Sequence, residues 1–577
     1  MASQTPPADG ASQPPTPGEG AGELRRPRAL RISFCALVVL LAAFQFSENT
    51  ADPDLWGHIV FGQQMLQTGA IPRAEIYSWT AQGQPWINHE WLSEIVLGGA
   101  HAWLGGSGVL LLKMGVGLLT FALCLRLGGA GAAWPAGFIT WAFGALAVVE
   151  ISYGFAPRPQ IFTALGLALE LMLLRRIHAG SFLYALALPV LFLFWINAHG
   201  GALAGFGLLG LAAAATTAQV LWPLISRRQP PAGPDQSPDL PLARSRTALV
   251  LWLALGGVAA ALFCTPWKAE MLRWLIVSVL WMRPEIQEWN PTPLGWDHTA
   301  FFVLIVLGIL AWTCSRRQRA WWELAACAAF ALLGLRSVRN APLFSLVALA
   351  LAPPHLADVL ARFRRFFARW EMRASNPALR DAAGALCAAG MVGVAVSMFT
   401  LHKEHPLTME APRSRYPVGA VDFLLNNQLR GRMLAFFDWG EMVIFEAPGC
   451  SPSMDGRLDE CYSRELIAAH WNFYNGAPFD QKLLNPDQAD LALLPGNLAG
   501  AGELARRPGW KAVYFDDTAV ILARDAGRFP KLQKLNLPVA GPAGAARGRA
   551  RFPDRNPRWR TNESGADPNH LAMTNRL

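Results

Sequence analysis

Charged residues are scarce in this chain of 577 residues: they make up 16%, whereas hydrophobic residues make up 53%. A typical soluble domain has about 25% charged residues, so the composition excludes a cytosolic enzyme. Uncharged runs of Leu, Ala, Gly and Trp reach about 20 residues, the length that a helix needs to cross a bilayer. We therefore expect a polytopic membrane protein.

The cysteines lack the spacing of a thiolate metal site. Of the eight, only Cys450 and Cys461 form a close pair, and no histidine or further cysteine follows them at ligand spacing. Outside the cytoplasm this pair either forms a disulfide or stays as two thiols, because spacing alone does not establish connectivity.

The net charge of +9 does not indicate a nucleic-acid partner, because the arginines stand in short clusters between apolar runs. Every second loop is rich in them. Since cytoplasmic loops are enriched in Arg and Lys, this pattern predicts a multi-pass protein of the plasma (inner) membrane with a cytoplasmic N-terminus. About eleven transmembrane helices are predicted: 24–46, 107–127, 131–150, 159–175, 181–197, 201–225, 247–265, 298–314, 320–335, 340–357 and 381–400.

Composition divides the chain into four regions. Residues 1–28, rich in Pro, Gly and Ser, predict a disordered cytoplasmic tail, and residues 29–400 form the transmembrane domain. Residues 401–525 alternate short apolar segments with helical ones, which is typical of an α/β domain, and an odd number of spans places it outside the cytoplasm. Residues 526–577 predict a flexible tail. The expected fold is a mainly α membrane bundle with a C-terminal extracytoplasmic α/β domain, whose predicted strands are 433–437, 442–445, 489–494 and 512–515.

The unusual polar segments all fall on the predicted outer face. The cytoplasmic loops are simple Arg and Pro connectors, whereas the outer ones carry His, Trp, Asn, Asp and Glu at helix ends, where charge is costly and usually functional. We therefore expect one site, centred on the first outer loop, residues 47–106. The contributing segments are Asp52–Glu94, Glu150–Gln160, Asn197–Gly200, Trp267–His298 and Arg336–Asn340.

Two aspartates stand directly before a helix that periodicity predicts over residues 54–66. Asp52 and Asp54 either cap this helix and satisfy its free amides, or supply a general base beside the membrane. His58 follows on the helix, and a second polar cluster follows at residues 88–91. The loop therefore offers carboxylates and imidazoles next to a membrane-embedded substrate.

These motifs resemble the GT-C superfamily of polytopic glycosyltransferases, which take sugars from polyprenyl-phosphate carriers and include the protein mannosyltransferase and aminoarabinose transferase branches. An acidic motif opens the first outer loop in that superfamily. The chain is more similar still to a group of bacterial membrane proteins with D-x-D-x-W-W-H and H-E-W-L motifs, and it departs from them at Gly57, where a second Trp is common. The matching segments here are Asp52–His58, Gly83–Glu94, Arg158–Gln160, Trp195–Gly200 and Arg336–Arg339.

The resemblance implies a membrane glycosyltransferase that moves a sugar from a polyprenyl-phosphate-linked donor to a lipid, glycan or protein acceptor at the outer face of the membrane. Asp54 is then the expected general base, with Asp52 as the alternative and Glu90 as a third catalytic carboxylate. Guanidinium groups offer paired donors to phosphate, so the outer arginines are expected phosphate binders unless they only snorkel to the interface. These arginines are Arg158, Arg336 and Arg339.

Further residues are expected to bind the substrate. Glu288 stands beside Trp289, and carbohydrate sites often combine a carboxylate with an aromatic face. No cofactor follows from the sequence itself, but a divalent Mn, Mg or Zn ion is a candidate, with Asp54, His58 and His89 as its ligands; hydrogen bonding at helix ends is the alternative use of the histidines. The expected substrate-binding set, besides the arginines, is His58, His89, Asn197, His199 and Glu288.

Two other functions stay open. A polar-lipid transporter or flippase would also carry charges in the membrane, but it predicts inverted repeats, which the sequence does not show. A non-catalytic GT-C-like scaffold for envelope assembly is the third hypothesis, motivated by Gly57 and by the exported domain. The expected partners are membrane lipids, the lipid-linked sugar and an acceptor.

Overall fold

The computed structural model describes residues 19–133, 136–226, 240–280, 286–362, 377–401, 405, 407–542 and 544–553. Within these ranges a bundle of helices precedes a small α/β domain. The bundle contains α1 (Glu19–Phe46), α2 (Leu55–Thr68), α3 (Trp91–Leu127), α4 (Ala136–Tyr153), α5 (Gln160–His178), α6 (Ala187–Ala198), α7 (Ala202–Ser226), α8 (Leu240–Ala261), α9 (Ala269–Leu280), α10 (Thr299–Cys314), α11 (Trp321–Arg336), α12 (Ala341–Leu351), α13 (Pro353–Arg362) and α14 (Pro377–Leu401). The α/β domain contains β1 (Glu410–Pro412), α15 (Val418–Asn426), β2 (Gly431–Ala435), α16 (Gly440–Glu446), β3 (Cys450–Pro452), α17 (Arg464–Tyr474), β4 (Leu491–Leu494), α18 (Ala499–Arg506), β5 (Trp510–Phe515), β6 (Val520–Arg524), β7 (Val539–Ala540) and β8 (Arg549–Arg551).

Each predicted transmembrane span coincides with a helix or with two consecutive helices. In the described part of the chain, six helices are long and apolar enough to cross a membrane. The pair Val338–Leu351 and Pro353–Arg362, bent by 54°, makes a seventh if it is one span. These helices indicate a membrane protein, while the count of eleven and the orientation stay predictions. The six are Ala29–Phe46, Trp91–Leu127, Ala136–Tyr153, Ala202–Pro223, Trp296–Cys314 and Asp381–Met398.

The first outer loop is largely helical, because α2 and the first half of α3 occupy much of residues 47–106. The two helices touch at glycines. A Cβ on Gly62 would lie 1.8 Å from the carbonyl oxygen of Glu94, and one on Gly98 would lie 2.8 Å from the backbone of α2. Helix α3 then bends at Gly105, whose φ of +61° suits glycine, before it continues to Leu127.

The α/β domain is built on a six-stranded sheet with the order β3-β2-β4-β6-β5-β7. Strands β3, β2 and β4 are parallel, β6 is antiparallel to β4 and β5, and β7 is parallel to β5. All of Leu491–Leu494 is buried, as expected for a central strand covered on both faces. The strand predicted over residues 442–445 is wrong. These residues lie in α16, since a short buried apolar run fits a helix as well as a strand.

Parts of both predicted tails are helix or strand in the structure. Strand β8 pairs with β1 in a two-stranded antiparallel sheet, and Phe552 is buried against Trp56 with ring centroids 4.9 Å apart. The tail predicted for residues 526–577 is therefore wrong up to residue 553, and residues 554–577 lie outside the described part. Helix α1 already begins at Glu19, so the tail predicted for residues 1–28 ends earlier; its residues 1–18 are not described.

Cys450 and Cys461 are buried free thiols. Cys450 opens β3, and its Sγ donates to the carbonyl oxygen of Leu429 over 3.5 Å. Cys461 follows the helical turn Leu458–Glu460 on another part of the domain. The disulfide alternative is therefore not realised in this structure.

Arg457 joins the α/β domain to the first outer loop. Its guanidinium pairs with Asp455 of its own domain over 2.7 Å and with Glu75 of the loop. The rings of Phe61 and Trp86 have their centroids 4.8 and 4.6 Å from its Cζ. All three charged side chains are buried, so each carboxylate depends on the arginine to offset the loss of its water.

Arg457→Met is expected to destabilise the protein by about 3–5 kcal/mol, because it leaves two buried carboxylates without their cation. Thermal unfolding of the protein in detergent measures the loss. Arg528→Met is the matched control. Arg528 pairs with Asp490 over 2.8 Å, but its side chain is 55% exposed, and such pairs contribute about 0–1 kcal/mol. Equal losses in the two variants would contradict the assigned role of Arg457.

Candidate active site

Three predicted carboxylates converge on one predicted arginine at the end of the bundle that carries the first outer loop. Arg158 stands just before α5; its Nε contacts Asp52 and lies 3.7 Å from Oδ2 of Asp54. Its Nη1 lies 3.1 Å from Oε1 of Glu288, in the turn Gln287–Trp289. We call these four residues the acid–arginine cluster. Segments that are more than 100 residues apart in sequence thus meet in space.

The carboxylate of Asp54 does not cap α2. Asp54 is the N-cap residue of this helix, yet its side chain accepts no capping hydrogen bond. The carboxylate of Asp52 instead accepts a hydrogen bond from the backbone N–H of Asp54 over 3.1 Å. The capping alternative therefore does not describe Asp54, whose carboxylate is left to face Arg158 and the α/β domain.

The α/β domain adds a carboxylate that the sequence did not indicate, Glu441 in the first turn of α16. Its Oε2 accepts a hydrogen bond of 3.1 Å from the backbone N–H of Gly57, one of the amides that a helix leaves free at its N-terminus. A Cβ on Gly57 would lie 2.2 Å from that oxygen. A larger side chain therefore does not fit at position 57 while the carboxylate of Glu441 stands there.

Gly456 brings Asp54 and Glu441 near each other. A Cβ on Gly456 would lie 2.3 Å from Oδ1 of Asp54 and 3.0 Å from Oε1 of Glu441. The glycine lies in a turn that is closed by Asp455, whose carboxylate accepts the backbone N–H of Arg457 over 3.1 Å. The turn that carries the interdomain arginine thus also makes room for the two carboxylates.

Burial and mutual repulsion weaken these carboxyl groups as acids. Burial raises the pKa of Asp54 to about 7; Arg158 opposes the rise and Asp52 adds to it. Burial, and then the charge of Asp54, raise the pKa of Glu441 well above its usual value. Burial likewise raises the pKa of Asp438, next to α16. Asp54 therefore exchanges protons near neutral pH, which suits a general base.

A second group, which we call the histidine–glutamate cluster, consists of His89, Glu90 and Glu460. The Nε2 of His89 lies 3.5 Å from Oε1 of Glu90, and its Nδ1 lies 3.1 Å from Oε1 of Glu460. Although burial opposes it, the two carboxylates raise the pKa of His89 to about 9. His199 faces the same oxygen of Glu90 over 3.5 Å. Glu90, which was expected to be catalytic, thus contacts two histidines. Glu460, the other carboxylate beside His89, belongs to the α/β domain and was not predicted.

The candidate metal ligands are not grouped as expected. Asp54 faces Arg158, and Nδ1 of His58 lies 3.5 Å from Oε1 of Glu94. Among the described residues, the group that places three potential ligand atoms within 4.8 Å of one another is the histidine–glutamate cluster. Asp54 and His58 therefore do not join His89 as ligands of one ion in this structure.

The remaining predicted residues have different surroundings. The Oδ1 of Asn197 accepts a hydrogen bond of 2.9 Å from Nε1 of Trp91, and its Nδ2 donates to two backbone carbonyls, so this side chain supports the helix ends. The Cζ of Arg339 lies 4.6 Å from the ring centroid of Trp289, beside the acid–arginine cluster. Arg336 is exposed at the end of α11. Asn197 thus contacts Trp91 and two backbone carbonyls, and Arg339 lies against the ring of Trp289.

No family model and no curated protein matches the chain. Among solved structures it is similar to the oligosaccharyltransferase of Archaeoglobus fulgidus in the apo form, with a TM-score of 0.50 and 11% identity over 81% of this chain and 69% of that chain. Coverage is the same for AglB from A. fulgidus with an inhibitory peptide and a dolichol-phosphate (TM-score 0.51, 11% identity) and for the A. fulgidus enzyme tethered with an acceptor peptide containing the NVT sequon (0.50, 12%). The fold is therefore similar to that of GT-C oligosaccharyltransferases, as the sequence motifs implied.

Gly57→Ala is expected to destabilise the protein by about 1–3 kcal/mol, because the added methyl group collides with the carboxylate of Glu441. The loss should shrink when Glu441 is also replaced by Ala. Gly99→Ala in α3 is the control, since the nearest atom to its added Cβ is a side-chain carbon of Leu66 at 3.8 Å. Thermal unfolding in detergent measures these three variants and Glu441→Ala alone, which completes the double-mutant cycle. Strictly additive losses in the double variant would argue against a direct contact.

Proposed function

We propose that this protein is a membrane glycosyltransferase that transfers a sugar from a polyprenyl-phosphate-linked donor to a lipid, glycan or protein acceptor at the outer face of the plasma membrane. The observation that carries the proposal concerns the carboxylate of Asp54 at the start of α2. It makes no capping hydrogen bond to the helix, is partly buried and lies beside Arg158. The fold shared with oligosaccharyltransferases and the long apolar helices support a membrane-bound transferase.

Asp54 is the better choice of general base. The base removes a proton from the acceptor as the bond between sugar and phosphate breaks, so the acceptor has to reach it. The side chain of Asp54 is 30% exposed, whereas that of Asp52 is 10% exposed and is engaged by Arg158 and by the amide of Asp54. This difference supports Asp54 as the base, with Asp52 holding Arg158 and the start of α2 in place.

The departing phosphate needs cationic side chains to stabilise its charge. Arg158 already faces three carboxylates, which offset its charge. We assign phosphate binding to Arg336 and Arg339, since guanidinium offers paired donors to phosphate oxygens. The hydroxyl of Ser337, between them, donates to the carbonyl oxygen of Glu288 over 2.8 Å. This hydrogen bond ties the segment that carries the two arginines to the turn that carries Glu288.

The similar structures suit the proposed donor and one of the proposed acceptors. One of them holds a dolichol-phosphate with an inhibitory peptide, and another holds a tethered acceptor peptide. A polyprenyl-phosphate sugar as donor and a polypeptide as acceptor are therefore compatible with this fold. Glu288 and Trp289, next to Arg158 and Arg339, offer the carboxylate and the aromatic face that a sugar ring needs.

Asp54→Asn is expected to lower transfer by about 10²–10⁴-fold, because the amide keeps the shape of the side chain and cannot accept the proton. In a host strain without the chromosomal copy, mass spectrometry of envelope glycans should show restoration by the wild type and not by this variant. Asp517→Asn is the control, since Asp517 is an exposed carboxylate of the α/β domain. It should restore the glycan fully.

The comparison is valid at equal membrane levels of the three proteins, which immunoblotting measures. Full restoration by Asp54→Asn would contradict base catalysis by this residue. Combined with recovery of a stoichiometric partner from the membrane, it would favour the non-catalytic scaffold.

A further inference from the structure

The histidine–glutamate cluster bridges the first outer loop and the α/β domain and shares no residue with the acid–arginine cluster. His89 and Glu90 stand directly before α3, and Glu460 ends the turn Leu458–Glu460. One potential ligand atom from each residue lies within 4.8 Å of the other two. Bonds from a metal ion to imidazole nitrogen or carboxylate oxygen are about 2.0–2.2 Å long, so ligand atoms around one ion are roughly 3–4 Å apart. The cluster is close to that spacing.

Both carboxylates face the ring of His89. Oε1 of Glu460 lies 3.1 Å from its Nδ1, and Oε1 of Glu90 lies 3.5 Å from its Nε2. Because the lone pairs of the two ring nitrogens point apart, one ion can take only one of them. The 3.1 Å between Nδ1 and Oε1 of Glu460 suits two ligand atoms of one ion, so Nδ1 is the nitrogen that would bind.

Neighbouring groups orient the two carboxylates. The Nε1 of Trp86 donates to Oε2 of Glu460 over 3.0 Å, which leaves Oε1 directed at the imidazole. The Nδ1 of His199 accepts the backbone N–H of Gly201 over 3.0 Å, so the proton of this ring lies on Nε2, 3.5 Å from Glu90. His199 therefore directs an N–H towards Glu90. Outer contacts of this kind accompany protein metal sites.

The donor set indicates the class of ion. Imidazole nitrogen suits transition metals such as Zn, while Mg and Ca prefer oxygen ligands alone. We propose that His89, Glu90 and Glu460 bind one divalent transition-metal ion, which fastens the α/β domain to the first outer loop. Water completes the coordination. This site does not depend on the proposed transferase activity.

The ion would hold residues 456–460 in place, the segment that lies against Asp54 of the acid–arginine cluster. Glu460 follows Arg457 by less than one helical turn, and Gly456 beside it lies against Asp54. The Nε1 of Trp274 in α9 also donates to the carbonyl oxygen of Asp459 over 3.1 Å. Loss of the ion is therefore expected to loosen this segment and to lower the thermal stability of the whole protein.

The test uses the full-length protein purified in detergent, freed of its affinity tag and stripped with EDTA. It is then exposed to Zn²⁺, Mn²⁺ or Mg²⁺ and desalted, and the retained metal is measured by mass spectrometry. We expect about one Zn²⁺ or Mn²⁺ per chain, no retained Mg²⁺, and a higher unfolding temperature with the retained ion. Glu460→Gln should weaken binding at least about tenfold. Asp459→Asn, which changes the neighbouring carboxylate, should bind as the wild type does.

Three results would overturn the proposal. One is a wild-type protein that retains no transition metal, and another is full retention by both Glu460→Gln and Glu90→Gln. The third is loss of the ion in Asp54→Asn with retention in Glu460→Gln, because it would place the ion at the acid–arginine cluster. If Glu460→Gln does not fold, Glu90→Gln decides the question from the other side of the interface.

Discussion

The candidate site depends on the docking of the α/β domain against α2. Buried carboxylates need a cation or a hydrogen-bond donor to offset the water that they lose. At this interface Arg457 supplies the cation for Asp455 and Glu75, and the start of α2 supplies the amide for Glu441. Two glycines remove the side-chain atoms that would hold the partners apart. If the domain moved away, Asp54 would return to water and lose the surroundings that raise its pKa.

The positions of the helices were predictable from the sequence, because hydrophobic runs are local patterns. Asp52, Asp54, Arg158 and Glu288 meet as the convergence of polar segments implied. Glu441 and Glu460 were not predictable, since their partners Gly57 and His89 lie hundreds of residues earlier and no local pattern records the contact. The unusual glycine at position 57 was the one available signal. The run 442–445 failed as a strand because four buried apolar residues do not distinguish the two periodicities.

The carboxylates and the two further arginines of the site are proposed to have different roles. The acid–arginine cluster holds more carboxylates than arginines, so it suits proton removal and disfavours a phosphate. Arg336 and Arg339 lie on the segment that Ser337 ties to the Glu288 turn. Under the proposed function, a lipid-linked donor is expected to present its phosphate to these arginines and its sugar to the carboxylates.

The central claim is that the protein consumes a lipid-linked sugar. It is tested most directly by mass spectrometry of the polyprenyl-phosphate sugars in host membranes with and without this chain. The account predicts that one such species accumulates several-fold when the chain is absent and returns to its normal level when the chain is supplied again. A pool of lipid-linked sugars that stays unchanged in the absence of the chain would contradict it.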